Sequence, residues 1–167
     1  MKLKLTIAAF ALLAIAVAAD SPAQVKSSIG KQMAGYITAL RAKDLVKVEA
    51  VIRANFAPEF KDVGLHGKTM NLEQTIAQTK SNISTLKSVQ QASLEITSIK
   101  VAGNKATTNE VFKLAATLQD PNDPKKTHTL KVDSAWTGTY TKRNGHWWCV
   151  HSKSTRENVL FDGKKAN

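Results

Sequence analysis

Cysteine is nearly absent from this chain of 167 residues: Cys149 stands alone. No intrachain disulfide can form, so stability has to come from packing. Metal-ligand patterns are missing too. The four histidines, His66, His128, His146 and His151, show no paired spacing, and no H-E-x-x-H run occurs. There is no phosphate loop and no Gly-x-Ser-x-Gly elbow. No metal and no cofactor is therefore expected. Arginine is scarce, with four residues, and no run of five like charges is present. Lys+Arg total 24 against 13 Asp+Glu, a formal net charge of +11. The lysines are scattered and no zinc-finger or RNA-recognition signature accompanies them, so no specific nucleic-acid partner is expected. The excess reads as a lysine-studded surface with a weak attraction for anionic envelopes.

Long apolar runs are also missing, except at the start. MKLKLTIAAFALLAIAVAAD carries Lys2 and Lys4, an apolar run from Leu5 to Ala19 broken only by Thr6, and small residues at A-x-A-like spacing. This is the layout of a secretory signal peptide, with cleavage expected after Ala19 or Ala23. A spanning helix needs about 20 apolar residues, and this run is shorter and ends at Asp20. The expected organisation is a signal peptide over 1–23, one domain over 24–154 and a polar, loosely held tail over 155–167. The location expected is periplasmic or extracellular, with no membrane span after cleavage.

What is present is a change of period along the chain. Ile29, Met33, Tyr36, Ile37 and Leu40 recur at the three-and-four spacing of one helix face. Asp44 sits where a second helix would be capped, and Leu45, Val48 and Ile52 carry that helix to about Asn55. A short strand pair around 59–68, turning near Gly64, comes next. Asn71 with Gln74 resembles a capping box ahead of a third helix with Leu72, Ile76, Thr79 and Ile83 on its buried stripe. From Val89 the period becomes that of strands. Val89–Val101 and Ala106–Gln119 form a hairpin around Gly103-Asn104. Residues 120–124, with two prolines, form a loop. Residues 127–142 and 146–154 form a second hairpin on Asn144-Gly145, a strong two-residue turn signal.

That turn sets a register. Arg143 faces His146, Lys142 faces Trp147, Tyr140 faces Cys149, Gly138 faces His151 and Trp136 faces Lys153. Alternation places Trp147 on an apolar face turned to the helices, with His151 as a polar group there. Trp148 falls on the opposite face with Val150 among threonines 137, 139 and 141. That face is a candidate for pairing with a second copy. Leu94 and Ile96 share one parity while Ile99 and Val101 share the other. A β-bulge near Thr97-Ser98 would bring all four onto one face and bend the sheet. Glu110 is a carboxylate on the otherwise apolar row that continues through Phe112, Leu114 and Ala116.

The stretches YITALRAKDL (Tyr36–Leu45) and RNGHWWCVHS (Arg143–Ser152) resemble the helical opening of ketosteroid isomerases and the terminal hairpin of SnoaL-like domains. Together with the order of elements, they make residues from about Ile29 to Lys153 similar to the nuclear transport factor 2-like superfamily. The resemblance implies an α+β cone, a strongly bent antiparallel sheet with three N-terminal helices packed on its concave face. It implies Tyr36 as an oxyanion donor and Asp62 as a catalytic base. The isomerases' second donor, an aspartate, aligns with Trp136, which departs from their pattern. The residue readings beside these are plainer: Tyr36 as a core residue at a pocket edge, Asp62 as a turn residue in KDVG, His66 as a loop residue and Cys149 as an inert inner thiol. Glu110 and His151 read as an inner hydrogen-bonded pair or as rim residues.

The expected function is that of an exported protein with a pocket for a small apolar or aromatic ligand, lined by Tyr36, Asp62, Glu110, Trp136, Tyr140 and His151 and without catalysis. The alternative is an enolate-type isomerase, cyclase or dehydratase using Asp62 and Tyr36. A third is a dimeric assembly module.

Overall fold

A computed structural model describes residues 20–123 and 125–165. The expected signal segment falls outside the described residues apart from its last four. Helix α1 (Pro22–Ala42) begins with a full capping box: the Ser21 side chain accepts from the Gln24 amide and the Gln24 side chain accepts from the Ser21 amide. Proline at the first turn suits this start, because its missing N–H would have had no partner there. Lys43 then takes a left-handed conformation and closes the helix. Asp44 caps α2 (Leu45–Asn55) by accepting from the Lys47 amide. Asn71 and Gln74 form the expected second capping box, on α3 (Leu72–Ser84). Among the described residues no helix is long and apolar enough to cross a membrane.

The strands are β1 (Phe56–Val63), β2 (Thr69–Asn71), β3 (Leu86–Ala102), β4 (Lys105–Gln119), β5 (Thr127–Arg143), β6 (His146–Phe161) and β7 (Lys164–Lys165). They form one curled sheet in the order β2-β1-β6-β5-β4-β3, with β7 against β6. The long strands pair antiparallel, as expected. One pair departs from an all-antiparallel sheet: β1 runs parallel to β6. A parallel pair needs a long crossover, and here α3 together with the β3-β4-β5 meander supplies it.

Bulges bend the sheet. The expected one lies at Thr97, where Ile96 pairs with Glu110 and Ser98 with Asn109. Two more skip Lys87 and Gln90. The inward residues of β3 are thus spaced by three at each bulge and by two elsewhere: Leu86, Val89, Ala92, Leu94, Ile96, Ile99 and Val101. Each bulge keeps the apolar side facing the helices while turning the strand. Val25, Ile29 and Leu40 of α1, Val48 and Ile52 of α2, and Ile76 and Ile83 of α3 fill the concave side, with Phe60, Ile96 and Trp147 from the sheet.

Two expectations are corrected. The segment from Thr155 is not a loose tail, since β6 continues to Phe161 and pairs with β5 through Val132–Val159 and Leu130–Phe161. The polar alternation of STRENVLF hid a strand whose inner side is largely polar. The register of the second hairpin also holds only as far as Tyr140–Cys149. A bulge at Val150 then pairs Thr139 with His151 and Gly138 with Ser152. A one-residue shift exchanges the faces, so Ser152 replaces His151 on the inner side.

Candidate functional site

The concave side is not fully packed. A cavity of about 350 Å³ lies between the helices and the sheet. Ile29, Met33, Ile52, Phe60, Leu94 and Phe112 are among its apolar walls. Five of the six expected lining residues are there: Tyr36, Asp62, Glu110, Trp136 and Tyr140. His151 is not. It shares a row with Lys61 and Thr139, the outward neighbours of Asp62 and Gly138.

Glu110 is the centre of the polar part. It is 2 % exposed, and three donors converge on it. Its Oε1 accepts from Thr108 Oγ1 at 2.5 Å and from Tyr140 Oη at 2.9 Å, while its Oε2 accepts from Trp136 Nε1 at 2.7 Å. The register explains the convergence. Glu110 is opposite Trp136, Thr108 is opposite Gly138 and Ala106 is opposite Tyr140, so four polar side chains of β4 and β5 share one inner patch. Gly138 makes the room. A Cβ there would lie 2.7 Å from Glu110 Oε1 and 2.7 Å from Thr108 Oγ1. Burial raises the pKa of Glu110 above the ordinary carboxylate range, against the pull of its three donors. Burial likewise holds the Tyr140 hydroxyl and the Cys149 thiol protonated, each well above its usual value. Cys149 is a wall residue, since a thiol needs its thiolate form to react.

Asp62 is not a turn residue. It is the penultimate residue of β1, next to Ser152 on β6, whose hydroxyl donates to its Oδ1. Tyr36 comes from α1, and burial alone pushes its hydroxyl up to about 12. Asn55, at the end of α2, lines the cavity, and its side-chain nitrogen donates to the Val51 carbonyl. Gln32 donates to the Trp147 carbonyl, and its own Oε1 is buried with no partner. Ser154 and the exposed Arg156 and Glu157 of the β6 extension also line the cavity. Arg156 is tied to Asp133 at 2.5 Å. No group of three or more possible metal ligands occurs among the described residues.

Sequence reasoning missed Ser152, Gln32, Asn55 and Arg156. The parity row of β4 already contained Thr108 beside Glu110. Nothing in the sequence marked the Val150 bulge that selects Ser152, because Trp148 and Val150 are themselves apolar and mask the change of phase.

This arrangement of three helices and a curled sheet is that of the nuclear transport factor 2-like proteins. The chain is similar to a conserved protein of Planctomyces limnophilus, with a TM-score of 0.64 at 12% identity over 82% of this chain and 97% of that one. It is also similar to a nuclear transport factor 2-like superfamily protein of Salmonella enterica, with a TM-score of 0.60 at 17% identity over 81% of this chain and 92% of that one. A nuclear transport factor 2-like protein of Cytophaga hutchinsonii matches with a TM-score of 0.57 at 13% identity, covering 77% of this chain and 95% of that one. No family model and no curated protein matches the sequence. At these identities the likeness establishes the fold, and function has to be argued from the site.

Proposed function

We propose that this chain is an exported, non-catalytic binding protein whose cavity takes a small ligand with a largely apolar or aromatic body. The observation that carries this reading is how the inner polar groups are used. Trp136 and Tyr140 both donate to Glu110 rather than into the open space. An enolate enzyme needs donors aimed at the developing oxyanion, and losing one such donor costs about two to three orders of magnitude in rate. Of the donors named by resemblance, Tyr36 alone is left for that task. The apolar walls and the half-enclosed cavity are typical of small-molecule sites.

The test compares binding with chemistry. The protein is titrated with phenolic enolate mimics, and α-carbon proton exchange of a matched ketone is followed by NMR. Binding without exchange is the expected result. Exchange that disappears in Asp62→Asn would replace this reading with the enolate enzyme.

Export rests on the signal-peptide layout of the first residues, and the start of the folded part favours the first of the two expected cleavage points. Asp20 Oδ2 accepts from Lys142 Nζ at 2.7 Å and from Trp147 Nε1 at 3.0 Å, and Ser21 caps α1. Cleavage after Ala19 keeps both features, whereas cleavage after Ala23 removes them. The mass of the protein recovered from the periplasm of an expressing bacterium is expected to correspond to a chain beginning at Asp20.

A further inference from the structure

We propose that the cavity selects an organic cation, an apolar or aromatic body carrying a protonated amine. This rests on the reading of the cavity as a ligand site and names the class of ligand it takes.

The argument begins with hydrogen-bonding capacity that the protein leaves unused. A carboxylate offers about four acceptor positions. Glu110 fills three with Thr108, Tyr140 and Trp136, which leaves one on Oε2. Asp62 uses Oδ1 for Ser152, and Oδ2 has no donor among the described residues. The side-chain oxygen of Asn55 remains after its nitrogen has donated to Val51. Gln32 Oε1 is buried and unpartnered. On the donor side the hydroxyls of Tyr36, Thr79, Ser134 and Ser154 are unengaged among the described residues, and each of them can accept as well as donate. Trp136, Tyr140 and Ser152 already donate to carboxylates. A guest that brings donors completes this site, and a guest that brings acceptors leaves buried oxygens facing one another.

Charge points the same way. The lining residues include three carboxylates, Asp62, Glu110 and Glu157, and a single cation, Arg156. Arg156 is exposed and is engaged by Asp133. No lysine or histidine lines the cavity among the described residues. The walls also carry Phe56, Phe60, Phe112, Tyr36 and Trp136. Aromatic faces attract cations, and they do so more strongly where water is excluded. The lysine-rich exterior does not reverse this preference. Exposed charges are screened over about 8 Å at physiological ionic strength, while Glu110, buried, and Asp62, half-buried, act on a guest at contact distance.

The experiment uses three isosteric probes, 2-naphthylmethylamine, 2-naphthalenemethanol and 2-naphthoate, titrated calorimetrically near neutral pH. The amine is expected to bind about tenfold or more tightly than the alcohol, with the carboxylate weakest. Asp62→Asn and Glu110→Gln should each weaken the amine several-fold and more than they weaken the alcohol, so that the ratio between the two probes falls. Circular dichroism checks that both variants are folded, and Asp62→Asn, at the half-buried position, serves if Glu110→Gln is not. Equal binding of amine and alcohol, tighter binding of the carboxylate, or an amine preference that survives in the folded variants would overturn the cation selectivity while leaving the cavity a ligand site. Failure of all three probes to bind would overturn the ligand-site reading itself, and the selectivity with it.

Discussion

A Cβ at position 138 would also lie 2.9 Å from Tyr140 Cε2, in addition to its contacts with Glu110 and Thr108. Those neighbours are tied to one another by hydrogen bonds, so none can give without disturbing the contacts of the others. Gly138→Ala is expected to destabilise the protein by about 1–3 kcal/mol, as overpacking does. Urea denaturation measures it, and an unchanged midpoint would mean that the Glu110 cluster moves freely. Glu110 itself makes stability depend on pH. Its folded pKa is raised, so over a window above the ordinary carboxylate value the folded state holds a proton that the unfolded state has released. Stability should therefore fall as pH rises through that window. Glu110→Gln should lack this slope. Carboxylates with lowered pKa, such as Asp44 and Glu49, contribute the opposite slope at lower pH, and they do so equally in both proteins. Denaturation of wild type and variant across the acid range isolates the difference.

Among the elements, the ends of β4, β5 and β6 are fastened by one side chain. His128, at the start of β5, bonds Asp162 Oδ2 through Nδ1 at 2.6 Å and Asp120 Oδ2 through Nε2 at 2.9 Å. Its ring stacks on Phe161 with centroids 4.7 Å apart. Asp162 first, then Asp120, raise the pKa of His128. The stabilisation is then fully present below the unfolded value of about 6.5 and is lost as pH rises through the higher folded value. Wild type should lose thermal stability as pH rises from about 6.5 through the raised folded value, and His128→Gln should not. Parallel curves for the two proteins would show that the contact carries no stability. By contrast, the Arg53 pairs with Glu49 and Glu73 are exposed, and such pairs contribute little.

For the whole molecule, the convex face of the sheet is the side turned away from the helices. Trp148 is half-buried there and packs edge-on against His146 with centroids 4.6 Å apart. Thr141, its partner on β5, and Val150 lie beside it. We propose a two-fold dimer through this face. Sedimentation should show association of the wild type that weakens in Trp148→Lys, while monomers in both would remove the dimer. The substitution leaves the cavity untouched, so any loss of ligand binding would reveal coupling between the two faces.

The sequence by itself determined the three helices, the caps of α2 and α3, and both tight turns. These depend on neighbours within a few residues: Asp44 with Lys47, Asn71 with Gln74, and Asn144-Gly145, where both residues take positive φ. It also determined the bulge at Thr97, because Leu94, Ile96, Ile99 and Val101 can all face the core only if one residue between them is skipped. The tertiary structure decided the rest. The bulge at Val150 set the inner row of β6 and exchanged His151 for Ser152, and no apolar residue recorded that choice. The parallel contact of β1 with β6 brought Asp62 to Ser152 from 90 residues away. The three donors around Glu110 come from two strands whose register is shared by every pair in the ladder. A side chain's face in a strand follows from local alternation only until a bulge intervenes. A buried carboxylate is satisfied by whatever the fold places within hydrogen-bond reach.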